Sequence, residues 1–301
     1  MRIVVAGGSG LLGREITRQL LDAGHEVAVL SRSATSAESG ATGLRGDVTE
    51  PASLEGKLAG ADAVVDAVQF PNSPIEDPKK GRTFERFDLG GTKNLVNASR
   101  AQGVGQFVGL SGVGAAEDAR YHWLRFKWQE EEHIRASGIG YTIFRPSWVY
   151  GPRDASLNRF LGFARFLPFV PVIGNGKTRI NPLFVNDLAQ HVTAAIDNKQ
   201  ALGRIFEIGG PQVLTMDEVV RTALRVSGKR RLLLHQPAGL MKAVASVVQH
   251  VPGRPLTPGA IDFITMDGVA DITALVGTFG LPLTPLEQGL QGYLGGRKGS
   301  G

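Results

Sequence analysis

The chain has 301 residues, of which 40 are glycine, 16 are proline and none is cysteine. Glycine and proline together stay below the share, about 25–30%, that is typical of low-complexity sequences, and the missing cysteine excludes disulfides, thiolate metal sites and cysteine nucleophiles. The net charge of +5 is spread along the chain without a dense Lys/Arg run, so a nucleic-acid partner is not expected.

The first 150 residues alternate between strand-like and helix-like segments. The chain opens on a short apolar strand that runs into a glycine turn. It has no signal-peptide pattern and no apolar run of about 18 residues, so we expect a cytoplasmic protein without a transmembrane helix. Repeated strand–helix units predict a Rossmann-type, doubly wound α/β domain with a parallel sheet over residues 1–150. The predicted strands are Arg2–Ala6, Val27–Leu30, Asp62–Phe70, Phe107–Leu110 and Tyr141–Phe144, and the predicted helices are Leu11–Ala23, Ala52–Leu58, Phe84–Gln102 and Trp123–Ser137.

Beyond residue 150 the alternation breaks down, and prolines and glycine turns interrupt the pattern. We predict a smaller substrate or partner lobe over residues 151–295, grown from the edge of the sheet, and a flexible tail over residues 296–301. Its clearest elements are a helix over Asp187–Ile196, a strand over Arg204–Ile208 and a helix over Thr215–Val226. In the last of these, Thr215 is the expected N-cap and Glu218 completes a capping box.

The strongest local signal is a glycine-rich loop, Gly7-Gly8-Ser9-Gly10-Leu11-Leu12-Gly13, between the first strand and the first helix. In this G-x-x-G-x-x-G pattern, Gly7 allows a tight turn, Gly10 lets backbone N–H groups approach a pyrophosphate, and Gly13 lets the helix pack against the strand. The positive end of the helix favours the phosphate charge. The loop therefore predicts a dinucleotide site.

The residues after the second strand favour NADP(H), with NAD as the alternative. NAD sites carry Asp or Glu at this position to hold the ribose 2′-OH, whereas this chain has Arg32 between two serines, and arginine suits a 2′-phosphate. Arg14 would add a second charge, and the alternative is that both arginines are solvated surface residues. Asp47 either reaches the adenine amino group or caps the turn that follows it.

Several segments resemble motifs of the short-chain dehydrogenase/reductase superfamily, in its extended or atypical branch. Residues 88–95 resemble the N-V-x-G-T-x-N-L helix of that branch, and residues 108–112 resemble its fifth strand, which ends in serine. Residues 145–152 resemble its R-P-x-x-V-Y-G-P turn under the nicotinamide, and residues 182–189 resemble its P-x-x-V-x-D-V-A element. The stretch from 145 to 189 is most similar to the NDUFA9-like group, named after a complex I accessory subunit. The resemblance implies a cofactor site formed by Gly7, Ser9, Gly10, Leu11, Leu12, Gly13, Arg32, Asp47, Val48, Ala67, Val68, Lys127, Pro146, Trp148 and Val149.

The resemblance also shows where the catalytic pattern departs from that of active family members. These enzymes use a Tyr-x-x-x-Lys pair on one helix with a serine nearby, so that the tyrosine moves a proton while the lysine holds the ribose. Lys127 is in place and Ser111 matches the serine, but Trp123 stands at the tyrosine position. An indole N–H only donates and does not ionise near neutral pH, so Trp123 cannot relay the proton.

Three side chains remain as candidates for the catalytic acid or base. The alternatives are that water transfers the proton or that the protein catalyses no reaction. Tyr121 or His122 would reach the site from the loop before the helix, and Lys127 itself would donate a proton if it were desolvated. Ser111, Lys127 and Tyr121 are therefore the predicted catalytic set. Asp88 replaces the asparagine of the family's long helix. A further acid, Asp66, stands in the fourth strand where a histidine is common, and we expect it to be buried with a hydrogen-bond partner or a raised pKa.

The sequence predicts one function and leaves an alternative open. The first is an NADP(H)-dependent oxidoreductase that acts on a small apolar carbonyl, enone or quinone. The second is a nucleotide-bound accessory, assembly or redox-sensing protein without turnover, which the resemblance to the complex I subunit implies. Trp123 and Asp88 favour the second function, whereas Lys127 and Ser111 are compatible with both.

Two apolar stripes lie in the second half. The stripe of Phe160, Phe163, Phe166 and Phe169 is interpreted as a packed helix face, the alternative being an apolar wall over the nicotinamide. The stripe of Leu240, Val244, Val247/Val248 and Val251 is also interpreted as core. Its alternative, together with the basic run Lys229–Arg231, is a contact with a membrane surface or a partner protein. No residues have metal-ligand spacing, so no metal site is expected, and the oligomeric state stays open.

Overall fold

The structure, a computed structural model, describes residues 1–33, 40–70, 73–251 and 256–294. The strands are β1 (Arg2–Ala6), β2 (Glu26–Ser31), β3 (Thr42–Arg45), β4 (Ala63–Asp66), β5 (Gln106–Leu110), β6 (Gly140–Pro146), β7 (Val149–Tyr150), β8 (Phe169–Ile173), β9 (Arg179–Ile180), β10 (Leu183–Phe184), β11 (Arg204–Ile208), β12 (Leu214–Thr215) and β13 (Leu232–Gln236). The α-helices are α1 (Leu11–Asp22), α2 (Gly91–Ala101), α3 (His122–Ala136), α4 (Ala155–Phe166), α5 (Val185–Asp197), α6 (Met216–Val226), α7 (Ala238–Val248), α8 (Pro258–Thr265), α9 (Thr273–Phe279) and α10 (Leu286–Leu294).

Seven of these strands form one parallel sheet in the order β11-β6-β5-β4-β1-β2-β3. The chain moves outward from β1 to β3 and then crosses to β4 on the other side of β1. In open parallel sheets, ligands bind at the carboxyl ends of the strands where the winding direction reverses in this way. The doubly wound fold predicted from the sequence is thus confirmed, and it places the glycine-rich loop after β1 at this crevice.

Apolar layers cover both faces of the sheet. Helices α1 and α5 pack over one face, where Val5 and Phe144 are fully buried. Helices α2 and α3 pack over the other face, against Val64 and Phe107. Strands buried on both faces need continuous apolar runs instead of an alternating pattern, which explains sequences such as RIVVA in β1.

The second half contributes β11 to the main sheet and builds a core of its own. Three two-stranded ladders, β7–β10, β8–β13 and β9–β12, surround this core, in which Tyr150, Leu157 and Leu290 are fully buried. Helix α6 begins with the predicted capping box: the Thr215 hydroxyl accepts from the Glu218 N–H at 3.3 Å, and the Glu218 carboxylate accepts from the Thr215 N–H at 2.7 Å.

Several element boundaries differ from the predicted ones for local reasons. The strand predicted over Asp62–Phe70 ends at Asp66, whose carboxylate accepts the Val68 N–H at 3.1 Å and so supports a turn. The helix predicted over Ala52–Leu58 is a single 3₁₀ turn over Pro51–Leu54, and Gly56 follows it with a φ of 68°.

The predicted helix over Phe84–Gln102 is composite, because a π-helical turn over Glu85–Gly90 precedes α2. Helix α3 starts at His122, one residue earlier than predicted. Tyr121 is therefore its N-cap, with extended backbone, and does not lie on the helix.

Neither apolar stripe forms the single packed face that we predicted. Phe160 packs against the core of the second half, but Phe166 at the end of α4 is 80% exposed and Phe169 lies on β8. On α7 only Ala245 is buried. In the second stripe, Leu240, Val244, Val247 and Val251 are 42–69% exposed, and Val248 is half-buried. The interpretation of that stripe as core is therefore wrong: α7 packs against α8, yet most of the stripe stays exposed.

Within the described ranges, no helix combines the length and the hydropathy that crossing a bilayer requires. The tail predicted over residues 296–301 lies outside the described residues.

Candidate functional site

The phosphate end of the crevice is shaped by close backbone contacts at the glycines. Gly7 has a φ of 76°, and a Cβ there would lie 2.6 Å from the Ala67 carbonyl oxygen, which follows β4. A Cβ at Gly13 would meet the Gly7 carbonyl oxygen and would lie 2.5 Å from the Cα of Gly8. Only glycine satisfies both positions, so the loop can hold β1, α1 and the end of β4 together.

The same loop leaves an anion site at the start of α1. Gly10 is the N-cap, and the first backbone bond of the helix runs from the Arg14 N–H to the Gly10 carbonyl at 3.2 Å. The N–H groups of Leu11, Leu12 and Gly13 precede that bond and have no intrahelical partner. A Cβ at Gly10 would contact only the Gly7 carbonyl, at 3.3 Å. These donors and the helix dipole fit the pyrophosphate of a dinucleotide.

Arg32 follows β2 and is exposed, with its guanidinium carbon 6.0 Å from the ring centroid of Phe87. In the described part of the chain it forms no ion pair, so its charge is available to a phosphate. Arg14 instead folds back over the loop, where its Nε donates to the Ser9 carbonyl at 2.9 Å. Asp47 accepts from the Thr49 N–H at 2.9 Å, which is the turn-capping alternative. Its contact with adenine stays a prediction.

The walls of the crevice are fixed by polar contacts between strand ends and helices. Asp66 is buried at the end of β4 and accepts the Thr92 hydroxyl at 2.7 Å. Burial raises the pKa of this carboxyl even though Thr92 and the Val68 N–H act against the shift. Both alternatives predicted for Asp66 are therefore present. On the neighbouring wall, the Asn94 amide donates to the Val48 carbonyl at 2.8 Å, which fixes Val48 beside α2.

Lys127 lies at the nicotinamide end, between two buried carboxylates. Its Nζ is 2.9 Å from Asp88 Oδ1 and 3.0 Å from Glu130 Oε2. It also approaches the Leu110 carbonyl at 3.5 Å. Burial alone would lower the pKa of Lys127, but the charges of Asp88 and Glu130 outweigh it and raise that pKa. A lysine held in this way is a poor proton donor near neutral pH, contrary to the role considered for a desolvated Lys127.

The carboxylates that surround Lys127 outnumber it. Burial raises the pKa of Asp88 and of Glu130, although Lys127 opposes both shifts. One ammonium offsets the charge of one carboxylate, so protons stay on this cluster at higher pH than on free side chains. Asp88 Oδ2 and Glu130 Oε1 are buried without a hydrogen-bond partner among the described residues.

Trp123 is 4% exposed and occupies the tyrosine position one turn before Lys127. Tyr121 stacks on it, with ring centroids 4.5 Å apart and planes 6° from parallel. His122 contacts the Glu76 carboxylate at 2.8 Å through Nε2. The two side chains considered as replacements for the tyrosine are thus held by other partners, and no contact in the described part of the chain joins either of them to Lys127.

Ser111 is tied to a different acid. Its hydroxyl donates to Glu131 Oε1 at 2.5 Å, and Arg145 binds the same carboxylate through Nε at 2.8 Å and through Nη2 at 2.6 Å. This bidentate pair connects β6 to α3, and the Ser111 proton is engaged by Glu131. A cavity of about 10 Å³, enough for one water, lies behind Ser111. Its polar lining consists of Asp66, Thr92, Ser111, Glu130 and Glu131.

The turn after β6 closes the crevice. Pro146 ends β6, and its carbonyl accepts the Val113 N–H at 3.3 Å. Trp148 and Val149 then lead into β7, and the Trp148 carbonyl accepts the Leu183 N–H at 2.9 Å. An aromatic cluster faces the site. Its members are Phe70, Phe84, Trp123 and Phe263, whose rings contact one another.

The sequence predicts most residues of the site, but it does not predict which side chains contact them. Glu130 and Glu131 follow Lys127 by three and four positions, so helical spacing was the available signal. Glu76 and Phe263 come from a loop and from α8, and no local pattern connects them with the site.

The family model described as NAD(P)H-binding matches residues 7–160. The photosystem II assembly factor Ycf39 of Synechocystis is 26% identical over 98% of this chain and 91% of its own length. The mitochondrial subunit 9 of the NADH dehydrogenase [ubiquinone] 1 alpha subcomplex of Rattus norvegicus is 26% identical over 94% of this chain and 77% of its own.

Among solved structures, UDP-glucuronic acid 4-epimerase of Bacillus cereus, in complex with UDP-glucuronic acid and NAD, has a TM-score of 0.76 at 18% identity. The similarity covers 98% of this chain and 99% of that chain and shows the shared fold. Fold, glycine loop and family match agree: the chain belongs to the NAD(P)H-binding family, in the atypical, NDUFA9-like group of the short-chain dehydrogenase/reductase superfamily.

Proposed function

We propose that this protein holds NADP(H) as an accessory protein of the assembly or redox-sensing type and does not turn the dinucleotide over through the family's proton relay. The observation that carries the proposal is the buried Trp123 one turn before Lys127. The indole that replaces the phenol at this position cannot lose and regain a proton near neutral pH.

The environment of Lys127 supports the same conclusion. In active family members the lysine holds the nicotinamide ribose and lowers the pKa of the tyrosine. Here its ammonium is already bound by Asp88 and Glu130. Binding a ribose would require Lys127 to exchange a buried ion pair for neutral hydroxyls, which is unfavourable in a site of low dielectric.

The relatives point in the same direction. The chain aligns over most of its length with proteins named as an assembly factor and as a subunit of an NADH dehydrogenase. Proteins of these kinds act through contacts with partners. A resident dinucleotide can stabilise such a protein, because any ligand that binds only the folded state adds its binding free energy to folding.

NADP(H) is the dinucleotide that the site favours. Arg32 stands where an NAD site carries an acid, it is exposed at the end of β2, and no described acidic side chain neutralises it. A 2′-phosphate would find there a planar donor with matching charge. When bound, NADPH would supply a hydride, and neither Trp123 nor the ion-paired Lys127 would supply the accompanying proton.

One feature favours a second function, that of an oxidoreductase for a small apolar acceptor such as a quinone or an enone. The aromatic cluster around Trp123 includes Phe263 of α8, so both halves of the chain contribute to an apolar wall beside Lys127. Such a wall would select apolar substrates, and water would then have to provide the proton that Trp123 cannot.

The test combines dinucleotide binding with turnover. The purified protein is titrated with NADPH and NADH by nicotinamide fluorescence and is then assayed for NADPH oxidation with a panel of carbonyls, enones and quinones. We expect tight NADPH binding and no oxidation above the rate without protein. Steady oxidation that falls in a Phe263→Ala variant, while NADPH affinity is kept, would establish the oxidoreductase instead. Failure to bind either dinucleotide would overturn both.

A further inference from the structure

A basic and apolar surface lies where the end of α4 meets the start of β13. We name it the basic–apolar surface. Its residues are Arg165, Phe166, Leu167, Lys229, Arg230, Arg231 and Leu232. Phe166 is 80% exposed and Leu232 is 79% exposed, high values for large apolar side chains. Exposed apolar groups rimmed by charge mark contact surfaces.

The two segments are joined by hydrogen bonds, so the surface is a fixed feature. Arg231 Nε donates to the carbonyls of Ala164 and Leu167 at 3.1 and 2.9 Å. Lys229 Nζ donates to the Leu161 carbonyl at 3.2 Å. The adjoining strand β13 pairs with β8, with Leu232 opposite Phe169. The exposed side chains therefore lie on a rigid support and need little ordering on binding.

The cations of this surface have no acidic counterpart. Across the described residues, none of Arg165, Lys229, Arg230 and Arg231 forms an ion pair. They also lie close to one another: besides partial burial, the charges of Arg165 and Arg231 lower the pKa of Lys229. Arg165 lies over the Phe166 ring, 5.5 Å from its centroid. A concentration of unneutralised positive charge calls for an anionic partner.

We propose that the basic–apolar surface binds anionic phospholipid membranes peripherally. The four cations would lie at the level of the headgroups, while Phe166 and Leu232 would enter the boundary between headgroups and acyl chains. The combination fits a bilayer better than it fits an acidic protein, because exposed aliphatic and aromatic tips beside long basic side chains match the layered polarity of the interface. Several basic residues are needed together, since each contributes only modestly.

The exposed stripe of α7 is not part of this proposal. Lys242 is the only charged residue on that helix, and it is paired with Asp262 at 2.6 Å. The stripe therefore has no charge pattern that identifies a partner.

The experiment is co-sedimentation of the full chain with vesicles of phosphatidylcholine alone and of phosphatidylcholine mixed with phosphatidylglycerol, at low and high salt. We expect binding only to the mixed vesicles, weakened by salt. Arg165→Glu/Arg230→Glu should weaken it by about 25-fold or more, since each basic residue contributes roughly fivefold. Phe166→Ser/Leu232→Ser should weaken it by about tenfold or more.

Matched controls lie elsewhere on the surface. Arg100→Glu/Lys199→Glu makes the same charge change, and Leu202→Ser/Val276→Ser removes two exposed apolar side chains. Both should keep wild-type binding. The proposal is overturned if the wild type does not prefer anionic vesicles, or if the controls lose as much binding as the test variants. Self-association in sedimentation velocity that Phe166→Ser/Leu232→Ser abolishes, without vesicle binding, would assign the surface to contacts between copies.

Discussion

The two ends of the dinucleotide crevice have diverged to different degrees. At the phosphate end, Gly7, Gly10 and Gly13 keep the close backbone contacts and the open helix start that are typical of a dinucleotide loop. At the nicotinamide end, Trp123 replaces the tyrosine and Lys127 is bound by Asp88 and Glu130. Binding and catalysis are therefore separable in this fold: backbone donors at a helix start hold the ligand, whereas proton transfer depends on a few side chains that can change without loss of the fold.

The largest expected effect concerns the phosphate end. Gly13→Val should abolish detectable dinucleotide binding, a loss of at least about 100-fold, and should lower the free energy of unfolding by about 3 kcal/mol through overpacking. The cause is the added Cβ, which would lie 2.5 Å from the Cα of Gly8. Nicotinamide fluorescence and urea unfolding measure the two effects. Gly162→Ala on α4, where a Cβ meets nothing within 4 Å, is the control and should change neither quantity by much. Normal binding in Gly13→Val would refute the assigned loop.

The next effect distinguishes the two dinucleotides. Arg32→Glu should weaken NADPH binding by about 30-fold, because a charge-assisted phosphate contact is lost and a repulsive charge is gained. NADH binding should change little. Paired titrations of the variant and of Arg100→Glu, a charge reversal on α2 away from the crevice, measure this. Equal weakening for both dinucleotides would show that Arg32 does not contact a 2′-phosphate.

A third substitution tests whether a tyrosine at position 123 is sufficient for NADPH oxidation. Trp123→Tyr should not start NADPH oxidation, because Lys127 stays bound by Asp88 and Glu130. It should lower the free energy of unfolding by about 1–2 kcal/mol, since the aromatic cluster loses part of its packing. Adding Asp88→Asn, which restores the family's residue and frees one side of Lys127, is the companion variant. Oxidation that appears in the single variant would mean that Lys127 is available after all.

The last prediction is a pH dependence at the nicotinamide end, and it is the smallest effect between neighbouring points of a measurement. Burial, reinforced by Asp88, raises the pKa of Glu130 from 4.5 to about 8. Between pH 4.5 and about 8 the folded state holds a proton that the unfolded state has released. The free energy of unfolding therefore falls as the pH rises through this range, by about 1 kcal/mol per pH unit. Glu130→Gln should reduce that slope, and Glu132→Gln, at a half-buried position on the same helix, should not. Urea unfolding at several pH values decides, and an unchanged slope in Glu130→Gln would place the proton elsewhere.

The parts of the molecule that the sequence predicts well are local. The glycine loop, the capping box at Thr215 and the strand Arg204–Ile208 each depend on neighbours within a few residues, and the structure confirms them. The site partners are not local. Asp88 reaches Lys127 from a different helix, and the position of α7 depends on what packs against it and not on its periodicity. An apolar stripe at helical spacing predicts that one face of the helix is apolar, but it does not predict which element, if any, covers that face.

Strand β11, which comes last in the chain among the strands of the main sheet, has a practical consequence for dividing the molecule. The family match ends at residue 160, yet β11 lies beyond it and pairs with β6 along five residues. A fragment cut near residue 160 would leave the N–H and C=O groups on that side of β6 unsatisfied, as an open sheet edge that invites aggregation. The dinucleotide half therefore depends on the second half for β11, which covers the side of β6 that faces away from β5 and forms that edge of the sheet.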